Sequence, residues 1–338
     1  MRRLLLVALL LFTACGGGSS GSSAQPDLTV AQLNFLHGTS GNCNQTANCR
    51  LVERADLLFE WIEASGCPDV VTLQEIWSGS LPLLRERAAA SCPFAYDVQV
   101  TTDRPGPDES AVLSRYPILS ITSQPLFPGF RKVVHARIDH PLGAIDVYTT
   151  HLASGADGAA VPCTGPSPCP QTCLDAGART RRQCQAVQMA AYIEDTHRGD
   201  APAVISGDFN AEPGSFEYEQ FAGRGWIDVY LAAGNPECEP ATGVGCTSGR
   251  EDQALDELES PASNENERID YIFLLPARPG FDCDATLDPA DDRDGDGTAT
   301  RHFTDDPNPF AAACGAAPLP ICWPSDHEGV ELDLNCEP

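Results

Sequence analysis

The side chains best placed to do chemistry sit at the ends of short strand-like runs. Asn34 ends Leu28-Thr29-Val30-Ala31-Gln32-Leu33-Asn34, and Glu75 ends Asp69-Val70-Val71-Thr72-Leu73-Gln74-Glu75. His151 follows Ala144 to Thr150, and Asp208-Phe209-Asn210 follows Ala203 to Gly207. Asp270 lies within Arg268-Ile269-Asp270-Tyr271-Ile272-Phe273, and Ser325-Asp326-His327 precedes a last apolar run. Each has an ordinary explanation when taken singly. A glutamate at a strand end is usually solvated, Gly-Asp is often a turn, and Asp326 can cap a helix. As a set they share one placement, and rigid strand ends can bring side chains into one cleft with fixed geometry. Glu75 with Asn34 offers hard oxygen ligands suited to magnesium, manganese or calcium. Asp208 can activate water, Asp270 can hold His327 in one tautomer, and His151 and Asn210 can donate to phosphate oxygens. That combination suits metal-assisted hydrolysis of a phosphoester.

The elements that must position these residues alternate between strand and helix. Period-two alternation predicts the strand over 28–34, and helical spacing of Ala55, Leu58 and Ile62 predicts a helix over 51–64. Further strands are expected over 69–75, 96–100, 111–113, 133–138, 144–150, 203–208, 269–275 and 329–334, and helices over 81–90 and 179–194. Pro141-Leu142-Gly143 reads as the turn of a strand pair. Residues 153–177, 233–266 and 279–323 read as long loops, which in a compact domain are usually functional or covalently stapled. No internal repeat is evident.

The N-terminus indicates where the chain works. Met1-Arg2-Arg3 is basic, Leu4 to Phe12 is apolar but well short of the ~20 residues a membrane span needs, and Thr13-Ala14 precedes Cys15. Residues 1–14 therefore read as an export signal peptide. Leu11-Phe12-Thr13-Ala14-Cys15 resembles a lipobox, which would make Cys15 a lipidated N-terminus. The alternative is an ordinary cleaved signal with an incidental cysteine. Residues 15–27 carry a Gly/Ser tract that reads as a flexible tether, and 28–338 read as a single domain. The chain has 15 cysteines, and lipidation of Cys15 leaves an even number for pairing. No C-x-x-C pair or zinc-finger spacing occurs, so disulfides and an oxidising compartment are expected. Cys43–Cys49 and Cys238–Cys246 are the expected pairs. The formal net charge is −27, with Lys132 the single lysine. Such acidity opposes passive binding of nucleic acid, although a metal ion can offset local repulsion of phosphate.

The blocks Leu73-Gln74-Glu75, Thr150-His151-Leu152, Gly207-Asp208-Phe209-Asn210, Ile269-Asp270-Tyr271-Ile272 and Ser325-Asp326-His327, in this order, resemble the signature of the endonuclease/exonuclease/phosphatase superfamily. That superfamily includes deoxyribonuclease I, abasic-site endonucleases, neutral sphingomyelinases and inositol-polyphosphate phosphatases. Ser114-Arg115-Tyr116-Pro117-Ile118, and Arg182 with Gln185, match further family segments. The resemblance spans 28–334. It implies a four-layer α/β sandwich, two face-to-face β-sheets flanked by helices. It also implies Mg2+ or Mn2+ held by Glu75 with Asn34 and Asp326. Asp208 and Asn210 would position water and phosphate, His151 would hydrogen-bond phosphate, and His327, oriented by Asp270, would act as acid/base or stabiliser.

The ester is less defined. An inositol-phosphatase pattern is not evident, because Ala211-Glu212-Pro213 follows Asn210. Acidity and export argue against a chromosomal repair enzyme. The expectation is an exported, monomeric, divalent-metal-dependent phosphodiesterase on the cell envelope or secreted, touching the membrane through its anchor. A sphingomyelinase-like phospholipid substrate is favoured over nucleic acid. The favouring features are the cysteine-containing loop after Thr150-His151-Leu152 and the run Ser325 to Val330, both similar to bacterial members. An extracellular nuclease is the alternative, and a non-catalytic surface binding module is a third reading that the intact blocks oppose. Asp292, Asp294 and Asp296 have the spacing of a calcium loop, but Phe303 stands where an EF-hand has its closing glutamate, and an acidic solvated loop is the competing reading. His37, His135, His197 and His302 have no motif support.

Overall fold

The computed structural model describes residues 28–36, 50–77, 79–101, 109–141, 143–155, 158–164, 167–199, 202–249, 258, 265–275, 282–284, 300–302 and 321–337. In chain order the elements begin with β1 (Leu28–Asn34), α1 (Leu51–Ala64), β2 (Val70–Ile76), α2 (Leu81–Ala88), β3 (Asp97–Val100) and β4 (Glu109–Ser114). There follow β5 (Ile118–Leu126), β6 (Arg131–His140), β7 (Gly143–His151), α3 (Gln171–Asp175), α4 (Arg181–Thr196) and β8 (Ala203–Asp208). The last are α5 (Phe216–Ala222), β9 (Ile227–Asp228), α6 (Val229–Ala232), β10 (Asp270–Leu275), β11 (Asp282–Asp284), β12 (Thr300–His302) and β13 (Val330–Glu337).

The strands form two sheets. One has the order β11-β13-β1-β2-β4-β3, with β12 also paired to β13, and the other β5-β6-β7-β8-β10-β9. Both are mixed: β1 and β2 run parallel, as do β7 and β8, while the flanking pairs are antiparallel. The expected four-layer sandwich is the observed fold. The period-two side-chain rule explains why. Leu28 and Val30 of β1 pack with Val204 of β8 and Ile272 of β10 between the sheets. Ala31 and Leu33 of β1 point the other way, onto Ala55, Leu58 and Ile62 of α1. On the second sheet, Ile205 and Phe273 face Met189, Ala190 and Ile193 of α4 and Phe221 of α5. Each of the fully buried valine, leucine, isoleucine, methionine and phenylalanine side chains among these contributes about 1.5–3 kcal/mol by leaving water.

The layer between the sheets changes character along its length. After Val30, Val70, Val147 and Val204 come Gln32, Thr72, Gln74, Thr149 and Ser206, all buried and on the same strand faces. Thr72 Oγ1 lies 2.8 Å from Ser206 Oγ, and Gln74 Nε2 donates to Thr149 Oγ1 at 3.0 Å, joining the two sheets. The next residues on those faces are Asn34, His151 and Asp208. Apolar core thus grades through amides and hydroxyls into charge at one end of the sandwich.

Several expectations are refined. Strand and helix ends shift by a few residues, as at α4, whose N-cap Thr180 accepts from Gln183 N at 3.4 Å. β5 was not foreseen, because Ser120, Thr122, Ser123, Gln124 and Pro125 give an edge strand no apolar alternation to read. The loop expected over 153–177 contains α3, and the one expected over 279–323 contains β11 and β12. Cys238–Cys246 is bonded as expected, and Cys67–Cys92, Cys163–Cys169 and Cys173–Cys184 are bonded too. The last two fasten the long loop to itself and to α4, with Ala178 and Val187 packed around them. Cys15 and residues 1–27, the Cys43–Cys49 pair, His37 and the acidic loop at Asp292, Asp294 and Asp296 lie outside the described residues. No described helix is long and apolar enough to cross a membrane.

Candidate active site

Three adjacent strands of the second sheet carry the centre of the site. In the β7–β8 register His151 is opposite Asp208, and in the β8–β10 register Asp208 is opposite Asp270. Gly207 makes that close pairing feasible. Its φ is +137°, and a Cβ there would fall 2.1 Å from Thr150 O. A larger residue would push β8 away from β7 and His151 away from Asp208.

The first sheet supplies the opposite wall. By strict alternation Glu75 belongs with Val71 and Leu73 on the helix-covered face. The β2–β4 register breaks between Leu73 and Ile76, and Glu75 adopts φ +59°. This bulge re-aims the carboxylate toward the inter-sheet end, where Oε1 accepts from Asn34 Nδ2 at 3.1 Å. Asn210 (φ +50°) and Leu36 (φ +52°), both beside the site, share the left-handed conformation. Strained backbone of this kind gathers where function fixes geometry.

The side chains interlock across the two sheets. Asn34 Nδ2 also donates to Asp208 Oδ2 at 2.9 Å, while its Oδ1 accepts from Leu36 N at 3.2 Å. Asn210 donates to Asp208 twice, from N to Oδ1 at 2.7 Å and from Nδ2 to Oδ2 at 3.1 Å. His327 Nδ1 lies 2.8 Å from Asp270 Oδ2, which places its Nε2 3.9 Å from Asp208 Oδ2. Thr247 Oγ1 accepts from the backbone of both Ile269 and Asp270 at 3.1 Å, fixing the start of β10. Ser325 Oγ donates to Asn34 O, tying the segment that carries His327 to β1.

Two arginines belong to the site, and sequence reasoning missed both. Arg131, at the start of β6, is buried, and its Nη1 lies 2.7 Å from His151 Nδ1. A guanidinium only donates, so His151 Nδ1 must accept. Its proton is then on Nε2, aimed at Asp208 Oδ2 3.2 Å away. Arg54 of α1 is fully buried and donates to Phe35 O at 2.7 Å, Leu36 O at 2.9 Å and Pro324 O at 3.1 Å. It clasps the end of β1 to the Asp326-His327 segment. Burial lowers its pKa to about 10, and the carboxylates of Asp326 and Glu75 oppose the loss of charge. The signal for Arg54 was present: it occupies the apolar face of α1, at helical spacing from Leu51 and Leu58. Arg131 heads an alternating strand and carries no such mark.

Electrostatics single out Asp208. Burial and the neighbouring Asp270 carboxylate push its pKa up to about 7, against the His327 charge and the hydrogen bonds from Asn210 and Asn34. Burial disfavours the His327 cation, but Asp270 and Asp326 outweigh it and hold its pKa well above the usual value. Among the described residues, Asp208, Asp270 and His327 have ligand atoms within 4.8 Å of one another, a set able to hold a metal ion. Asp270 Oδ1 is buried without a hydrogen-bond partner. The expected ligand Asp326 is half-buried, with Oδ1 3.1 Å from Ser325 Oγ. Hard oxygens in excess of cations, one of them unsatisfied, fit a divalent ion.

The sequence of residues 33–327 matches the model of the Endonuclease/Exonuclease/phosphatase family. The chain belongs to this family. Its fold is shared with an endonuclease/exonuclease/phosphatase family protein from Bacteroides thetaiotaomicron at 18% identity (TM-score 0.59, covering 92% of this chain and 98% of that one). It is shared with a mannosyl-6-phosphatase from the same organism at 18% identity (TM-score 0.58, 91% and 99%). A third similar structure is D. rerio TDP2 complexed with single-strand DNA product, at 17% identity (TM-score 0.55, 91% and 98%). No curated protein matches the sequence. Family membership accounts for the observed order of blocks: Glu75, His151, Asp208, Asn210, Asp270 and His327 arrive at one end of the sandwich from five separate segments.

Proposed function

We propose that this family member is an exported, divalent-metal-dependent phosphoester hydrolase. The observation that carries the reading is one buried cluster in which Glu75–Asn34, Asp208–Asn210–His151 and Asp270–His327 meet across two sheets. Glu75 would head the ligands, with Asn34 beside it through Oδ1 and the carboxylates of Asp208, Asp270 and Asp326 at hand. When bound, the ion neutralises these carboxylates and polarises a phosphate oxygen. Asp208, held in place by Asn34, Asn210 and His151, takes a proton from attacking water. His327, oriented by Asp270, presents Nε2–H to the charge that builds on the departing or equatorial oxygen. His151 Nε2–H and the amides of Asn34 and Asn210 are donors already aimed at that region.

Export and anchoring through Cys15 belong to the same proposal, supported by the bonded cysteine pairs. For the ester, the sequence favours a phospholipid, with nucleic acid as the second candidate. Fold relatives add a sugar phosphate, since one is a mannosyl-6-phosphatase. The test incubates the purified protein with sphingomyelin vesicles, plasmid DNA and hexose phosphates, with magnesium and with chelator. Hydrolysis of one class, abolished by chelator and in Glu75→Ala, supports the reading. A Glu75→Ala protein as active as the wild type would remove Glu75 from the site and overturn it.

A further inference from the structure

Beside the cluster lies a cavity of about 480 Å³, within the range of small-molecule sites. Its wall begins at Asn210, the residue whose amide is bonded to Asp208. A group held there lies directly beside the residue that positions Asp208. Ala211 and Ile269 are buried and form an apolar floor, whereas Glu212 and Glu267 are exposed and stand at the rim. Arg182 supplies the remaining charge, and its Nε is paired with Glu217 Oε1 at 3.1 Å.

We propose that this cavity is a subsite for the neutral, hydroxyl-rich part of the substrate, a sugar or similar polyol esterified to the phosphate. The proposal rests on the phosphoester-hydrolase reading and narrows its substrate class. Three chemistries are disfavoured by the lining. A further phosphate, as in a nucleic acid backbone, would meet two carboxylates, while the arginine is already paired. A nucleobase would stack on rings and a choline head group would sit in an aromatic cage, yet no aromatic residue is among the described residues lining the cavity. An acyl chain would need more apolar wall than Ala211 and Ile269 supply. A polyol uses what is present: carboxylates accept from its hydroxyls, and its C–H face rests on the small apolar floor.

The test uses the full-length protein with magnesium. The initial measurement is kcat/KM of the wild type on hexose 6-phosphates and glycerophosphoinositol, against 4-nitrophenyl phosphate and bis(4-nitrophenyl) phosphate as reporters with no polyol. The ratio of polyol ester to matching reporter is then compared in Glu212→Gln, Glu267→Gln and the double variant. The expected result is a wild-type preference for a polyol ester, and a ratio that falls about tenfold or more in the double variant, as loss of a hydrogen bond to a charged acceptor implies. A wild type that prefers the reporters, phosphocholine esters or DNA overturns the subsite and leaves the hydrolase reading standing. An unchanged ratio in the double variant also overturns it. Hydrolysis of none of these esters counts against the hydrolase reading itself, and the subsite falls with it.

Discussion

Strand β7 carries two buried acid–histidine clusters on opposite faces, and they differ in their balance of charge. On the helix-covered face, Asp146 is fully buried and meets Arg137 at 3.1 Å, His135 at 3.0 Å and His197 at 3.3 Å. Burial raises its pKa, but these partners overcome the effect and hold the carboxyl well below the usual range. Five residues on, His151 faces the inter-sheet end, where Asp208 has Asp270 as a neighbour and is pushed up to about 7. The first cluster satisfies its carboxylate with Arg137 and two histidine ring nitrogens. The second holds more carboxylate than the protein neutralises and leaves Asp270 Oδ1 without a partner. A buried acid in balance is structure, and a buried acid in deficit is a site awaiting an ion or a substrate.

The largest expected effect follows from exchanging the acids one at a time. Asp208→Asn should lower kcat/KM by about 10³-fold, the scale of losing a preorganised polar group at the reacting centre, while leaving metal-free stability equal to or above that of the wild type. The pH dependence makes this sharper. A carboxyl raised from 3.8 to about 7 leaves the fold fully favoured below its unfolded pKa, and its stability contribution is lost as pH rises through about 7. Chemical denaturation of the metal-free protein between those pH values should show that slope, and Asp208→Asn should flatten it. A destabilised Asp208→Asn protein would mean that the two clusters are not opposites.

Asp146→Asn should do the reverse. Leaving Arg137 and two histidines without their shared anion is expected to cost about 3–5 kcal/mol of stability, with kcat/KM per folded molecule little changed. The pH dependence also has the opposite sign. A carboxyl held below 3.8 stabilises the fold above its unfolded pKa, and that contribution is lost as pH falls through the lower folded value. Wild type should therefore lose stability in acid more steeply than Asp146→Asn, read as Tm by calorimetry.

The charge deficit at Asp208 makes a further, smaller prediction. Magnesium or manganese at a hundred times its Kd should raise stability by about 2.7 kcal/mol, chelator should reverse the gain, and Glu75→Gln should abolish it. The Asp146 cluster, already balanced, should respond to neither. An ion-induced rise in Tm that survives in Glu75→Gln but disappears in Asp146→Asn would place the ion on the wrong face of the strand.

What the sequence made legible follows the same division. The residues of the site sit in short blocks at strand ends, and period-two alternation accounts for the strand face that Asn34, His151 and Asp208 share. The four layers were legible only through the resemblance of the blocks to the family, and the structure gives the physical reason for them: Val30, Val147, Val204 and Ile272 face the inter-sheet layer and alternate with Ala31, Tyr148, Ile205 and Phe273, which face the helices. Glu75 was nameable as a residue but not as a direction, because its orientation depends on a bulge and a positive φ that no alternation reports. The Asp146 cluster was invisible: His135, Asp146 and His197 come from β6, β7 and the end of α4, and only their packing joins them. β5 was missed because Ile118, Leu119, Ile121 and Leu126 do not alternate along it, and Arg131 for want of any pattern around it.

Arg131 links the two kinds of residue, since it is a permanent cation spent on a histidine of the site. If it fixes the His151 tautomer, Arg131→Met should leave the protein folded but let the imidazole proton move to Nδ1. The donor aimed at Asp208 would then be lost. The expected fall in kcat/KM is about 10–100-fold, the usual cost of removing a partner that orients a site residue, and Arg131→Lys should recover part of it. Nitrogen-15 NMR of the histidine side chains gives the direct reading. In the wild type, His151 should show a protonated Nε2 and an unprotonated Nδ1. A wild-type His151 protonated at Nδ1 would contradict the donor assignment, because the guanidinium 2.7 Å away offers no lone pair to receive that proton.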